Sequence, residues 1–344
     1  MDIFDRVSEV TVNQQPIILQ GNLLRLGSHQ DIQYDEETRT LMIHPDKQSG
    51  LFVSPIMETT SFSRLIVSWN AVTPEETTVE IRVRVEVEGN WSQFFSYGKW
   101  GLGRKNASTS QEDKLATFSI DTLTLKNKKA HRLQVIAYLE RKSPQVDSPR
   151  LKLIGLTLDT EQMVFHQHYN IEEVNLPVPQ LSQRTVPEIG SHICSPTSVA
   201  MVLNYKGENI TPEKMAELVM DYGANIYGNW SYNVAVAGAL GYESYVAMLT
   251  IEDVKELLKA GHPVIASVTV KSEDELSHLP EHEDGTKMTY PHGHLLVIRG
   301  LGKVDNQNVV YVNDPSALTN EEVERYYDLK EFMNVWKKVG YIIK

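Results

Sequence analysis

Between residues 78 and 88 every second position is apolar: Val79, Ile81, Val83, Val85 and Val87 alternate with Glu80, Arg82, Arg84, Glu86 and Glu88. A period of two marks an antiparallel strand with one face on a core and the other in water. Shorter runs of the same kind occupy 17–26, 38–43, 64–69, 115–120, 132–139 and 151–158. Polar turn stretches separate them, and no helical period intervenes. A series of short strands like this predicts an all-β sandwich over residues 1–160.

After Leu158 the period changes. Residues 161–175 read as a linker, a mixed polar stretch that leads to Pro177 and Pro179, where the backbone is expected to be extended. From 176 to 344 helical and strand patterns alternate, as in an α+β domain. Val199, Val202 and Leu203 recur at helical spacing behind Pro196, which the first turn of a helix tolerates, and Gly207 is a natural stop. Thr211-Pro212-Glu213 opens a second helix with Met215, Leu218 and Val219 on one face. Thr250 to Asp253 has the form of a capping box, ahead of Val254, Leu257 and Leu258. A last helix is expected over 328–338, a central strand over 263–270 and a closing strand over 341–343.

The single cysteine allows no internal disulfide, so its surroundings decide what it is for. Cys194 falls at the start of the helix that carries Val199. There the helix dipole and free N–H groups favour a thiolate. A lone cysteine is also a small core hydrophobe. A thiol nucleophile needs a histidine base and an acid or amide to orient that base. His294 stands where a glycine-bearing loop runs into a buried strand, and Asp314 where Asp-Pro ends the next strand. The polar loop 303–308 would join the two as a hairpin and set His294 beside Asp314. Gln183 could offer its amide to an oxyanion, with Gln180 as competitor. His292 and His294 are alternatives for the base, and the start of the strand favours His294. His192 is expected in an exposed approach loop.

Gln183, Cys194-Ser195-Pro196-Thr197-Ser198, Gly293-His294-Leu295-Leu296-Val297 and Val312-Asn313-Asp314-Pro315 come in the order that resembles the C39-like branch of the papain-like cysteine peptidases. The resemblance spans about residues 175–344. It implies Cys194 as nucleophile, His294 as base, Asp314 as orienter and Gln183 in the oxyanion hole. It further implies a papain-like α+β fold behind a jelly-roll-like sandwich, as in the two-domain members. The family more often has glycine where this chain has Ser195, although a branch of two-domain members has serine there. The expected activity is hydrolysis of a peptide or amide bond in a peptide or protein substrate, with no cofactor and no metal. An acyl or amide transferase using the same triad is one alternative, and offering a primary amine would separate it from a hydrolase. A catalytically silent binding protein is the other, and the intact Cys-His-Asp set argues against it.

Charge and composition narrow the partners. A net charge of −12 argues against nucleic acid or an anionic membrane surface and suits cationic substrates. No window approaches the ~18 apolar residues of a membrane helix. No basic and apolar leader follows Met1, so a chain that starts there is expected in the cytoplasm, and one trimmed at its start outside the cell. Trp91, Phe95 and Trp100 form an aromatic cluster that reads either as a platform for a cell-wall or glycan ligand or as packing. The glycine-rich stretch 222–231, with Tyr227, Asn229 and Trp230, suits a substrate-binding wall of the cleft. The long stretch 271–293 suits a lid or specificity loop with an acidic rim. His166 with His168, and His278 with His282, are surface residues rather than metal ligands on this reading.

Overall fold

The computed structural model describes residues 3–160 and 171–344. They form two compact units that do not follow the order of the chain. One holds Met1–Gln162 with Met220–Val246, the other Met163–Val219 with Ala247–Lys344. By contacts, residues 220–246 group with the first unit although they follow the expected boundary between 160 and 176. Most of the expected linker, with His166 and His168, lies outside the described residues.

In the first unit the strands assemble into two eight-stranded sheets. The strand Thr77–Val87 pairs along its length with Ala130–Arg141. Its inward residues Val79, Ile81, Val83, Val85 and Val87 are 0 to 2% exposed. Each such side chain contributes roughly 1.5–3 kcal/mol by leaving water. The outward face differs from expectation: Glu80 and Glu86 are also buried, because Arg82 and Arg132 pair with them and cover them. In the other sheet Arg64–Val72 pairs with Arg150–Asp159. The expected strand over 17–26 is cut to Ile17–Leu19, and a helical turn, Asn22–Arg25, follows it.

The segment 220–246 is woven into this unit. Its helix, Trp230–Ala239, is buried from Ser231 through Gly238, so it shows no apolar period and is invisible to a search for one face. Polar side chains anchor it to the sandwich: Ser231 donates to the Val67 carbonyl, and Asn70 bonds the backbone and hydroxyl of Ser244. Tyr232 packs edge-on against Trp69, which packs edge-on against Trp100. Asp221 is fully buried and accepts from the Ser108 N–H and hydroxyl, the Gly223 and Ala224 N–H groups and the Asn229 amide.

The second unit is built on an antiparallel sheet in which Trp336–Ile343, Val264–Val270, Tyr290–Val304, Gln307–Asn313 and Glu324–Asp328 lie in that order. The expected hairpin is present, closed by Asp305 and Asn306, both at positive φ. Two such residues suit the primed turns that match strand twist. The capping box at Thr250 forms with Asp253, and Val254 and Leu258 are buried on that helix, Ile251–Lys259. The last helix is shorter than expected, Leu329–Val335, because the backbone from Trp336 onward pairs with the central strand instead. Among the described residues no helix is long and apolar enough to cross a membrane.

Candidate active site

The helix Cys194–Tyr205 is buried from Ser195 through Leu203, and Cys194 at its start is part-exposed. Its first turn has no side-chain cap, so the leading N–H groups are left for other partners. Ser195 bonds its hydroxyl to that of Tyr341 at 2.9 Å and thereby ties the first turn of the helix to the closing strand. Ser198 one turn on donates to the Leu295 carbonyl, beside His294.

His294 and Asp314 meet as the hairpin geometry requires. Nε2 of His294 lies 2.8 Å from Oδ1 of Asp314, with 4% and 0% of the two side chains exposed. The other ring nitrogen is thus left for the thiol of Cys194, which hydrogen-bonds the same imidazole. His292 sits on the exposed side of the chain. Residues two apart on a regular strand share a face, so alternation alone does not separate the two histidines. Gly293 between them does, at φ +101, a conformation that L side chains rarely adopt. His192 is exposed.

Electrostatics favour an ion pair. Burial works against a charged Asp314, yet the His294 charge and the donors from His294, Ser316 and Tyr327 hold its carboxyl below the ordinary range. Burial also works against the imidazolium, and the Asp314 carboxylate outweighs it, so His294 is raised. Burial pushes the Cys194 thiol up. Its hydrogen bond to His294, the imidazolium charge and the Leu295 and Ser195 N–H groups pull it below the ordinary value. A thiolate beside an imidazolium, with uncapped N–H groups next to it, can attack a carbonyl carbon and then protonate a leaving amine.

Gln183 is 3% exposed and begins a short turn, Gln183–Thr185, tied to the Asp314 loop by its own N–H, which donates to the Pro315 carbonyl. Its Nε2 donates to the Gly190 carbonyl at 2.8 Å, leaving a second amide hydrogen. Gly190 makes this possible, since a Cβ there would stand 2.5 Å from the carbonyl oxygens of Gln183 and Val186. Gln180 instead pairs with Glu324 at the surface.

Three residues at this site escaped the sequence reading. Tyr290 and Tyr327 direct their hydroxyls to Oδ2 of Asp314 at 3.2 and 2.7 Å. Ser316 donates its hydroxyl to Oδ1 at 2.7 Å and its N–H at 3.0 Å. Tyr290 was out of reach of strand alternation, because Gly293 at positive φ and a shift of register interrupt it between Tyr290 and His294. Tyr327 and Ser316 had no local signal.

Other expectations change. Tyr227, Asn229 and Trp230 belong to the sandwich unit. Asn229 is fully buried, caps the helix that starts at Trp230 and bonds Asp221, so it cannot line a substrate wall. The Trp230 N–H goes to Asp121, and the Tyr227 carbonyl accepts from Asn233. Trp100 and Phe95 are core residues. Arg84 lies 4.4 Å over the Trp91 ring. The stretch 271–293 is held at several points: Leu276, Leu279 and Met288 are buried and Ser277 bonds Glu331. Its acidic residues Glu273, Asp274, Glu275, Glu281, Glu283 and Asp284 are exposed. Among the described residues no group of His, Cys, Asp and Glu is placed to hold a metal ion.

Residues 175–343 match the Peptidase_C39 like family, and residues 15–158 match the Peptidase C39 N-terminal domain. No curated protein matches. Among solved structures the chain is similar to proCathepsin B S9 from Trypanosoma congolense, with 13% identity over 53% of this chain and 82% of that one and a TM-score of 0.36.

Proposed function

We propose that this chain, which belongs to the C39-like family of cysteine peptidases as a two-domain member, hydrolyses peptide bonds with Cys194 as nucleophile, His294 as acid and base, and Asp314 as the group that orients His294. The observation that carries the reading is the continuous hydrogen-bonded chain from a part-exposed thiol through a buried imidazole to a buried carboxylate.

The Cys194 thiolate attacks the carbonyl carbon of the scissile bond, and the carbonyl oxygen takes up the negative charge. The Cys194 N–H at the uncapped helix start and the second amide hydrogen of Gln183 are the donors available to that oxygen. The imidazolium of His294 gives its proton to the departing amine, and the C–N bond breaks to leave a thioester. The neutral imidazole then takes a proton from water, whose oxygen attacks the thioester. The carboxylic acid leaves and the thiolate–imidazolium pair is restored. Asp314 keeps its charge throughout and holds Nε2–H, so the proton in transit is always on the nitrogen that faces sulfur.

Cys194→Ala should lower turnover of any cleaved peptide by several powers of ten and leave the melting temperature unchanged. An alanine variant that cleaves like the wild type would refute the proposal.

A further inference from the structure

Tyr290 lies flat on the base. Its ring and that of His294 are 4.0 Å apart between centroids and 16° from parallel. The same side chain carries its hydroxyl past the imidazole to 3.2 Å from Oδ2 of Asp314 and 2.5 Å from the Ser316 hydroxyl. Ser316 donates in turn to Oδ1, the oxygen bonded to His294. The contacts close a ring: His294 to Asp314, to Ser316, to Tyr290, and back to His294 through the stack. Tyr327 bonds the same carboxylate, but its own ring stacks on Phe332.

We propose that Tyr290 is a positioning residue of this site, fixing the plane of the base with its ring and the carboxylate that orients the base with its hydroxyl. The inference rests on the triad reading above. An imidazole held at Nε2 alone can swing about its Cβ–Cγ bond and carry the other nitrogen away from the sulfur. With an aromatic ring against its face, that swing drives an edge into the tyrosine. The ring also presents its electron-rich face to the imidazolium and keeps water from the bond between His294 and Asp314.

The test uses the full chain and needs no substrate. Iodoacetamide labels a paired thiolate at pH ~5, where an ordinary thiol of pKa ~8.5 is almost unreactive. Tyr290→Phe keeps the ring and loses the hydroxyl; Tyr290→Leu loses both. Labelling of Cys194 at that pH should fall about threefold in the first variant and about tenfold in the second, the range expected for losing one aromatic contact. A tyrosine that serves packing alone would lower the melting temperature and leave the pH dependence of labelling as in the wild type, and that result overturns the proposal. Loss in the leucine variant alone removes the hydroxyl's share. If the leucine variant does not fold, the phenylalanine variant decides alone: a threefold loss of low-pH labelling supports the proposal, and labelling as in the wild type overturns it. A wild-type protein whose labelling follows an ordinary thiol titration would instead overturn the triad reading itself.

Discussion

Two buried carboxylate centres, one in each unit, are solvated by protein to a similar degree and differ in charge environment. Asp314 accepts from His294, from Ser316 twice, and from two tyrosine hydroxyls. In the sandwich unit Asp221 accepts from the Ser108, Gly223 and Ala224 N–H groups, the Ser108 hydroxyl and the Asn229 amide. Nearby Asp121 accepts from the Trp230 N–H at 2.6 Å and the Thr122 hydroxyl at 2.9 Å. Among these partners only His294 can carry a positive charge. The consequence is opposite in sign. Asp314 is held below the ordinary carboxylate range. Burial, with a contribution from the Asp221 charge, pushes Asp121 up to about 6 even though its N–H and hydroxyl donors work the other way. Dipoles moderate the cost of burying a carboxylate, whereas a cation reverses it.

The comparison breaks most completely if the chain is cut ahead of residue 176. A fragment of residues 176–344 keeps every donor to Asp314 but strips Asp221 of Ser108 and the helix Trp230–Ala239 of Val67, Trp69 and Asn70. That fragment should fail to fold, with its circular dichroism and solubility showing the loss. A soluble, folded and active fragment would show that residues 220–246 do not need the sandwich. Within the whole chain, Asp221→Ala leaves several buried donors without an acceptor and should cost about 3–5 kcal/mol in a denaturant titration.

Asp314→Asn sharpens the contrast at the site. The amide puts hydrogens where two tyrosine hydroxyls now donate, so the Oδ2 side must be rebuilt around it. The expected loss in kcat/KM is on the order of a hundredfold, with low-pH labelling of Cys194 lost as well. An asparagine variant with wild-type labelling at low pH would mean that orientation suffices and the charge adds little. Asp121→Asn should go the other way. A raised carboxyl pKa costs stability as pH rises from about 4, the unfolded value, through about 6, so the amide should stabilise the protein by roughly 3 kcal/mol at neutral pH and hardly at all near pH 4. For Asp314 and His294 the sign reverses. The Asp314 contribution is present above about 4 and is lost as pH falls through its depressed folded value. The His294 contribution is present below about 6.5 and is lost as pH rises through its raised one.

Much of this was legible in the chain itself. Alternation along 77–87 reported a strand with one face on a core, because a sheet buries every second side chain. The capping box at Thr250, the proline behind Cys194 and the Asp-Pro turn at 314 are local chemistry, and each stands where the residue types require. The strand order that brings His294 to Asp314 followed from a short hairpin. What the pattern could not show is of two kinds. A segment buried on every side has no period, so the helix Trp230–Ala239 and its place in the sandwich unit left no trace in spacing. The occupants of the second carboxylate oxygen, Tyr290 and Tyr327, reach Asp314 from 24 residues before it and 13 after it, and no local rule couples such positions. Local sequence determines which face a strand or helix must hide and where it must stop. Which distant residue fills the space against that face, and whether a buried charge finds a cation or only dipoles there, is settled when the elements pack, because both depend on distances that exist only in the folded chain.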